Sequence, residues 1–278
     1  MEKVWDDRPT SNPVTAARMN TQSAFFLIFT TMLAIAGPAA SDASPCAFES
    51  LGDGRVTEVV DARSFRLSDG REIKLAGVEL ATATGNPSNG LAELIDGREV
   101  VLYGSDDAPD RYGRQSAFVS IAGSDVLVQR ELLARGQALL ATDIADRDCA
   151  AALAAAESEA RADKRGIWAD AIVIKSAESP DDILSRVGRF TVVEGKVLSV
   201  RQAGATTYLN FARNWTRGFA VTISRRALPV FESAGLAVKS LEQRRIRVRG
   251  WVEAHSGPNS GPRIDAARVT QIEVLNSN

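Results

Sequence analysis

Residues 54–78 constrain the fold more than any other part of the chain, because they read as two alternating runs joined by a tight turn. From 54 to 67 apolar and polar residues alternate, and Val56, Val59, Phe65 and Leu67 are the expected inward positions. Ser68-Asp69-Gly70 follows, a sequence that reverses a chain readily, and residues 71–78 alternate again as the return strand. A period of two puts one face of each strand into a core and leaves the other in water, so the stretch needs partners on its apolar side. The chain supplies them. After a Gly/Asn/Pro/Ser loop at 84–90, Leu91, Leu94 and Ile95 mark a short helix, residues 97–103 and 117–121 read as further strands, and 126–135 as a helix closed by Gly136. The alanine-rich run 150–164, with acidic and basic residues at helical spacing, predicts another helix that Gly166 stops. Short strands with interleaved helices in this order predict a small OB-type barrel over residues 46–170.

Residues 171–186, polar and carrying Pro180-Asp181-Asp182, read as a connector. A second β-rich block follows, with strands expected at 190–200, 207–211, 219–223, 245–252 and 269–274 and a helical or loop segment at 228–234. It predicts a second, OB-like domain over residues 187–278, which makes the whole chain mainly β with α (α+β). No convincing sequence repeat links the two halves, and their charges differ. Residues 46–186 hold sixteen Lys and Arg against twenty-five Asp and Glu, a net of −9, whereas residues 187–278 hold fourteen against six, a net of +8. Such asymmetry predicts two domains with different partners, or with each other as partners.

The first forty-three residues have the build of a targeting segment. Lys3, Arg8 and Arg18 lead, residues 24–36 are an apolar run, and Ala39, Ala40, Ser41 and Ala43 supply a small-residue end. This predicts a secretory signal over 1–43, with Met19 as an alternative start; the competing reading, an N-terminal membrane anchor, needs a longer apolar run. Export bears on Cys46 and Cys149, the two cysteines of the chain. In an oxidising compartment an even pair predicts a disulfide, against the alternative of two unrelated buried thiols. His255, the one histidine, sits in a polar Gly/Pro loop without other ligand-type residues, so it carries no metal or catalytic assignment.

Residues 54–65, residues 69–82, the turn Asp110-Arg111-Tyr112-Gly113-Arg114 and residues 160–168 together resemble the staphylococcal-nuclease (thermonuclease) family. The resemblance covers less than half of the chain. Beyond it, Tyr208-Leu209-Asn210-Phe211 and Arg247-Val248-Arg249-Gly250-Trp251-Val252 look like the C-terminal extension of exported bacterial proteins of this kind. The resemblance implies an OB-fold barrel and phosphodiester chemistry: carboxylates that hold calcium, a glutamate that activates water, and two arginines that clamp the phosphate. Taken position by position, the family's Asp-Gly-Asp-Thr turn reads Asp61-Ala62-Arg63-Ser64, so Arg63 stands where a ligand carboxylate is implied. Lys74 takes the first clamp position, keeping the charge but losing the bidentate fork. Glu79 matches the next ligand, and Thr82 replaces the general base, a proton it cannot accept near neutral pH. Arg114 keeps the second clamp position, and Glu72 and Glu93 are nearby carboxylates that offer alternatives for the base. We therefore expect Arg63 to pair with Glu79 and no cofactor to be held, with Ca2+ required only if the chain is an active nuclease.

The second domain offers a different chemistry. Arg245, Arg247, Arg249 and Trp251 alternate with Ile246, Val248 and Val252, so the cations and the ring share one strand face. Trp215 and Arg217 add an aromatic and a cation in a loop. This is the composition of a groove that tracks a nucleic-acid backbone, and equally of a face that seats on the acidic first domain. Three readings follow: a nuclease-fold protein with an eroded site that binds nucleic acid, an active secreted endonuclease, and a module for a protein partner with no stable membrane span after signal removal.

Overall fold

The computed structural model describes residues 46, 48–80, 88–254 and 260–275. The signal expected over 1–43, Thr82 and His255 lie outside these residues. Among the described residues no helix is long and apolar enough to cross a membrane.

The expected first strand is itself a hairpin. β1 (Glu49–Asp61) and β2 (Ser64–Leu67) pair antiparallel around Ala62-Arg63, and β3 (Glu72–Leu75) follows the Asp69-Gly70 turn. Val59 lies opposite Phe65 across the first turn, so a period-two pattern runs through it unbroken and cannot reveal it. Next come β4 (Val78–Glu79), α1 (Ser88–Ile95), β5 (Glu99–Gly104), β6 (Arg114–Ile121), α2 (Val128–Ala134), β7 (Leu139–Leu140) and α3 (Arg147–Ala162). Strands β1-β2-β3-β6-β5 close into a barrel in which β3 and β6 run parallel. Phe65, Leu67, Ile73, Leu75, Val100 and Leu102 fill it and are fully buried. Each such side chain contributes roughly 1.5–3 kcal/mol of transfer free energy. Gln129 of α2, also fully buried, accepts the Val119 N–H at 3.1 Å and donates to the Ala117 carbonyl at 3.0 Å, which pins the helix to β6.

Helix α3 closes this domain. The Asp146 carboxylate accepts the Cys149 N–H at 2.8 Å and caps the first turn. Cys149 is joined to Cys46, as expected, so the start of the described chain is tied to the helix 103 residues later. Gly136 and Gly166 cross backbone to backbone with φ of 64° and 53°; a Cβ on Gly136 would sit 2.2 Å from the Arg165 carbonyl oxygen, so no other residue fits.

Residues 171–186 are not a free connector. β8 (Ile174–Ser176) adds to the second sheet, α4 (Pro180–Leu184) packs on it, and Ala177 and Ile183 are buried in the second core. Two elements of three and five residues are too short to register as a period among so many polar side chains. The second sheet then runs through β9 (Phe190–Lys196), β10 (Ser199–Ala203), β11 (Thr206–Asn210), β12 (Ala220–Ser224), α5 (Leu228–Ser233), β13 (Arg245–Ala254), β14 (Pro262–Asp265) and β15 (Ile272–Val274). The expected last strand at 269–274 is a 3-10 turn, Val269–Gln271, followed by β15, which pairs with β13. The fifth barrel strand is instead β14, a four-residue piece that begins on a proline and that the pattern did not mark.

Hydrogen-bonded neighbours follow β10-β11-β12-β14-β13-β9, and β12 pairs parallel with β14. Only Val197 and Leu198 separate β9 from β10, so the path returns to the run of chain it left. Counting β9 and β10 as one bent strand, the order is first, second, third, fifth, fourth, the same as in the first barrel. Both barrels belong to one compact unit. Leu139, Ala160 and Trp168 of the first meet Phe190 and Val192 of the second in a shared apolar cluster.

Candidate nucleic-acid interface

Three elements of the first barrel bring the expected site residues together. Strand register sets Asp61 beside Ser64, Ser64 beside Lys74 and Lys74 beside Ser116. The adjacent row runs Glu58, Arg66, Glu72, Arg114. Cross-strand neighbours share a face, so these two rows form one polar patch opposite the Phe65 and Ile73 side of the sheet. Glu79 enters from β4, which is held against β7 by pairing with Leu139.

Three carboxylates of the patch, Glu58, Glu72 and Glu79, are already paired with an arginine. Arg63 donates from Nη1 to Glu79, and the two side chains are only 16% and 12% exposed. The Arg63 N–H also donates to Asp61 Oδ1 at 2.8 Å. Burial pushes the Glu79 carboxyl above its usual range; Arg63 and then Lys74 pull it down, and Asp143 raises it further. Arg66 bridges Glu58 and Glu72, the latter at 3.3 Å. Asp143 is a neighbour that sequence reasoning missed, since nothing in its surroundings marks it and only the fold brings it to Glu79. Among the described residues no three His, Cys, Asp or Glu side chains gather closely enough to hold a metal ion.

The Asp110 to Arg114 turn presents its arginine differently. Asp110 accepts the N–H groups of Tyr112 and Arg114 at 2.8 and 3.0 Å through Oδ1, and the Arg114 guanidinium binds Oδ2 through Nε and Nη2 at 3.1 and 2.8 Å. These bonds, the Arg114 N–H foremost, lower the Asp110 pKa from its ordinary 3.8 to about 2. Tyr112 stands 66% exposed, with the Arg111 and Arg114 guanidinium carbons 4.7 and 5.2 Å from its ring centroid. Arg114 is thus aimed by one carboxylate and one ring beside Glu72. Glu93 does not join this group: it sits on α1 and its nearest cation is Arg135, at 4.0 Å.

Residues 85–170 match the family model of the staphylococcal nuclease homologue. The first barrel is a staphylococcal-nuclease-like domain. The match takes in Arg114 and begins after the strands that carry Arg63, Lys74 and Glu79. No curated protein matches the chain. A nuclease-like domain points to nucleic-acid binding of the nuclease type.

One arginine of the β13 row, Arg249, reaches across to this nuclease-like domain. β13 alternates as expected, with Ile246, Val248 and Val252 buried. Arg249, however, is only 6% exposed: Nη1 and Nη2 bind the two oxygens of Glu157 on α3 at 3.0 and 2.7 Å, and Nη1 reaches the Leu140 carbonyl at 3.2 Å. Glu157, 1% exposed, also accepts the Leu140 N–H at 2.8 Å and Arg161 Nη1 at 3.3 Å. Arg247 is fixed between Glu194 and Glu273, both at 2.7 Å. Arg249 favours the second reading of this face, seating on the acidic first domain, and Arg247 is engaged by carboxylates of its own barrel. Arg245 stays open, 3.8 Å from Glu194 with its side chain 56% exposed, and Trp251 meets Phe190 edge-on at 6.1 Å. Trp215 and Arg217 lie elsewhere on the second barrel, in the loop between β11 and β12.

Proposed function

We propose that the chain is an exported, nuclease-derived nucleic-acid-binding protein whose first barrel cleaves phosphodiesters weakly or not at all. The observation that carries this reading is the Arg63–Glu79 pair. A guanidinium bonded to the ligand-position carboxylate Glu79, with the Arg63 backbone N–H on the adjacent Asp61, puts a fixed positive charge where the family holds calcium, and this donor set does not fit a divalent cation. With Thr82 at the base position, neither polarised phosphate nor activated water has an evident source. What remains is binding: Arg114 as the phosphate donor, Lys74 as a second cation and Tyr112 as a stacking ring. The Cys46–Cys149 bridge supports export, which agrees with the signal expected over 1–43.

The test is an assay of single- and double-stranded DNA and RNA with calcium and with chelator, wild type beside Arg114→Ala. The expected result is salt-sensitive binding that Arg114→Ala weakens, with cleavage slow or absent and indifferent to calcium. Calcium-dependent cleavage that Arg114→Ala abolishes would overturn the reading in favour of an active endonuclease. Absence of binding to any nucleic acid would leave the protein-partner alternative.

A further inference from the structure

We propose that the second barrel holds a single-stranded nucleic-acid segment in the cleft beneath Trp215, a site separate from the nuclease-like patch. The proposal rests on the reading that the chain binds nucleic acid, and names a second place and the form of strand. The cleft measures about 590 Å³ and lies on β10, β11 and β12, with one wall made by the loop that carries Trp215 and the other by Pro262 and Arg263. In the shared strand order these are the first, second and third strands. The face of the second and third is where OB barrels present themselves to oligonucleotides.

Four observations make this a built site. Register aligns Arg201, Tyr208 and Thr222 across three strands, so a cation, a phenol and a hydroxyl share the floor. Among the described residues neither Arg201 nor the Tyr208 hydroxyl has a protein partner, whereas Asp265, next in the same cross-strand row, is engaged by the Thr222 hydroxyl at 2.8 Å. Trp215 is 66% exposed, an indole ring turned to solvent above the floor. Its loop is nevertheless fixed. Asn214 Oδ1 accepts the Thr216 hydroxyl at 2.7 Å, the Gly218 N–H donates to the Asn214 carbonyl at 2.9 Å, and the Gly261 N–H donates to the Thr216 carbonyl at 2.7 Å. A Cβ on Gly261 would lie 2.2 Å from the Gly218 carbonyl oxygen, so the two segments touch backbone to backbone.

A rigid exposed indole beside an unneutralised guanidinium suits a ligand that alternates a flat ring with a phosphate. A duplex hides its base faces in the stack, so the indole selects a strand whose bases are free. Arg213 and Arg217 flank the ring in sequence and add two cations to the same loop. The domain's net charge of +8 favours the same polyanion.

The experiment is fluorescence anisotropy of the full chain with labelled oligothymidine and with labelled duplex DNA, over a range of salt, for wild type, Trp215→Ala, Trp215→Phe, Arg201→Ala and Arg114→Ala. Trp215→Ala is expected to weaken oligothymidine binding about tenfold, and Trp215→Phe to restore most of it because a ring remains to stack. Arg201→Ala is expected to reduce the salt slope for the single strand by about 0.7, the share of one phosphate. Duplex binding is expected to follow Arg114→Ala instead. Wild-type affinity for oligothymidine in both Trp215→Ala and Arg201→Ala, with loss in Arg114→Ala, would overturn this site while leaving the proposed function standing. Equal loss in Trp215→Phe and Trp215→Ala at unchanged Tm would overturn stacking as its basis. A wild type that binds neither probe would overturn both.

Discussion

A guanidinium beside a carboxylate does electrostatically what a bound cation would do, and that equivalence makes Arg63 the residue to test. Replacing it by a carboxylate leaves Glu79 without its partner. Arg63→Asp is therefore expected to lower Tm in chelator and to recover stability when calcium is added, whereas wild type is expected to show no calcium-dependent shift; thermal melts with and without the ion check both. The Asp110 carboxyl gives a second residue-scale prediction. Its folded pKa of about 2 lies below the ordinary 3.8, so its contribution to stability is present above about pH 4 and is lost as pH falls through that window toward 2. Because the Arg114 N–H is the foremost cause and the guanidinium a lesser one, Arg114→Ala is expected to return the pKa only part of the way, as a carbon-detected NMR titration of Asp110 would read. At this scale the sequence was informative about identities and silent about partners. Arg63, Lys74 and Thr82 could be read as substitutions directly, while the approach of Asp143 to Glu79 depends on a path through the whole domain.

At the scale of elements, local chemistry and distant closure meet in α3. The helix begins where Asp146 can cap it, and its first turn carries the cysteine that closes a loop of 103 residues. Cys46→Ser with Cys149→Ser is expected to reduce unfolding free energy by about 2–5 kcal/mol, mostly through the greater freedom of the unfolded chain, as urea denaturation would measure. The longer elements of the fold were legible because they repeat their period often enough to be seen. The turn at Ala62-Arg63 showed only through the family resemblance, because the alternation runs through it, and β8, α4 and β14 were missed for reasons of size: a short piece of strand or helix has too few turns of its own period, and β14 also starts on a proline. Gly136 illustrates a related limit. Its place after α2 reads as a helix stop, yet the close passage of residue 165 is what forbids a side chain there.

At the scale of the molecule, the two barrels are joined by a buried ion pair inside a larger alternation of charge that runs from Glu157 through Arg249 and Arg161 to Glu273, Arg247 and Glu194. Desolvation makes such a pair costly to break from one side only. Arg249→Met is expected to destabilise the protein by about 3–5 kcal/mol, since it leaves the Glu157 charge buried with too few partners. Arg245→Ala, four residues away on the same face, is expected to change stability by less than about 1 kcal/mol because its side chain is half in water. Urea denaturation of the two variants side by side checks the contrast. The amino-acid sequence by itself determined the β-rich class, the nuclease-like character of the first barrel, the residue types at its site positions and the opposite charges of the two halves. These are properties of residue identity, spacing and composition, which act locally or by simple summation. Only the tertiary structure decided that Arg247 and Arg249 face carboxylates while Arg201 and Trp215 face solvent, because burial and pairing depend on which surfaces the two barrels bring together.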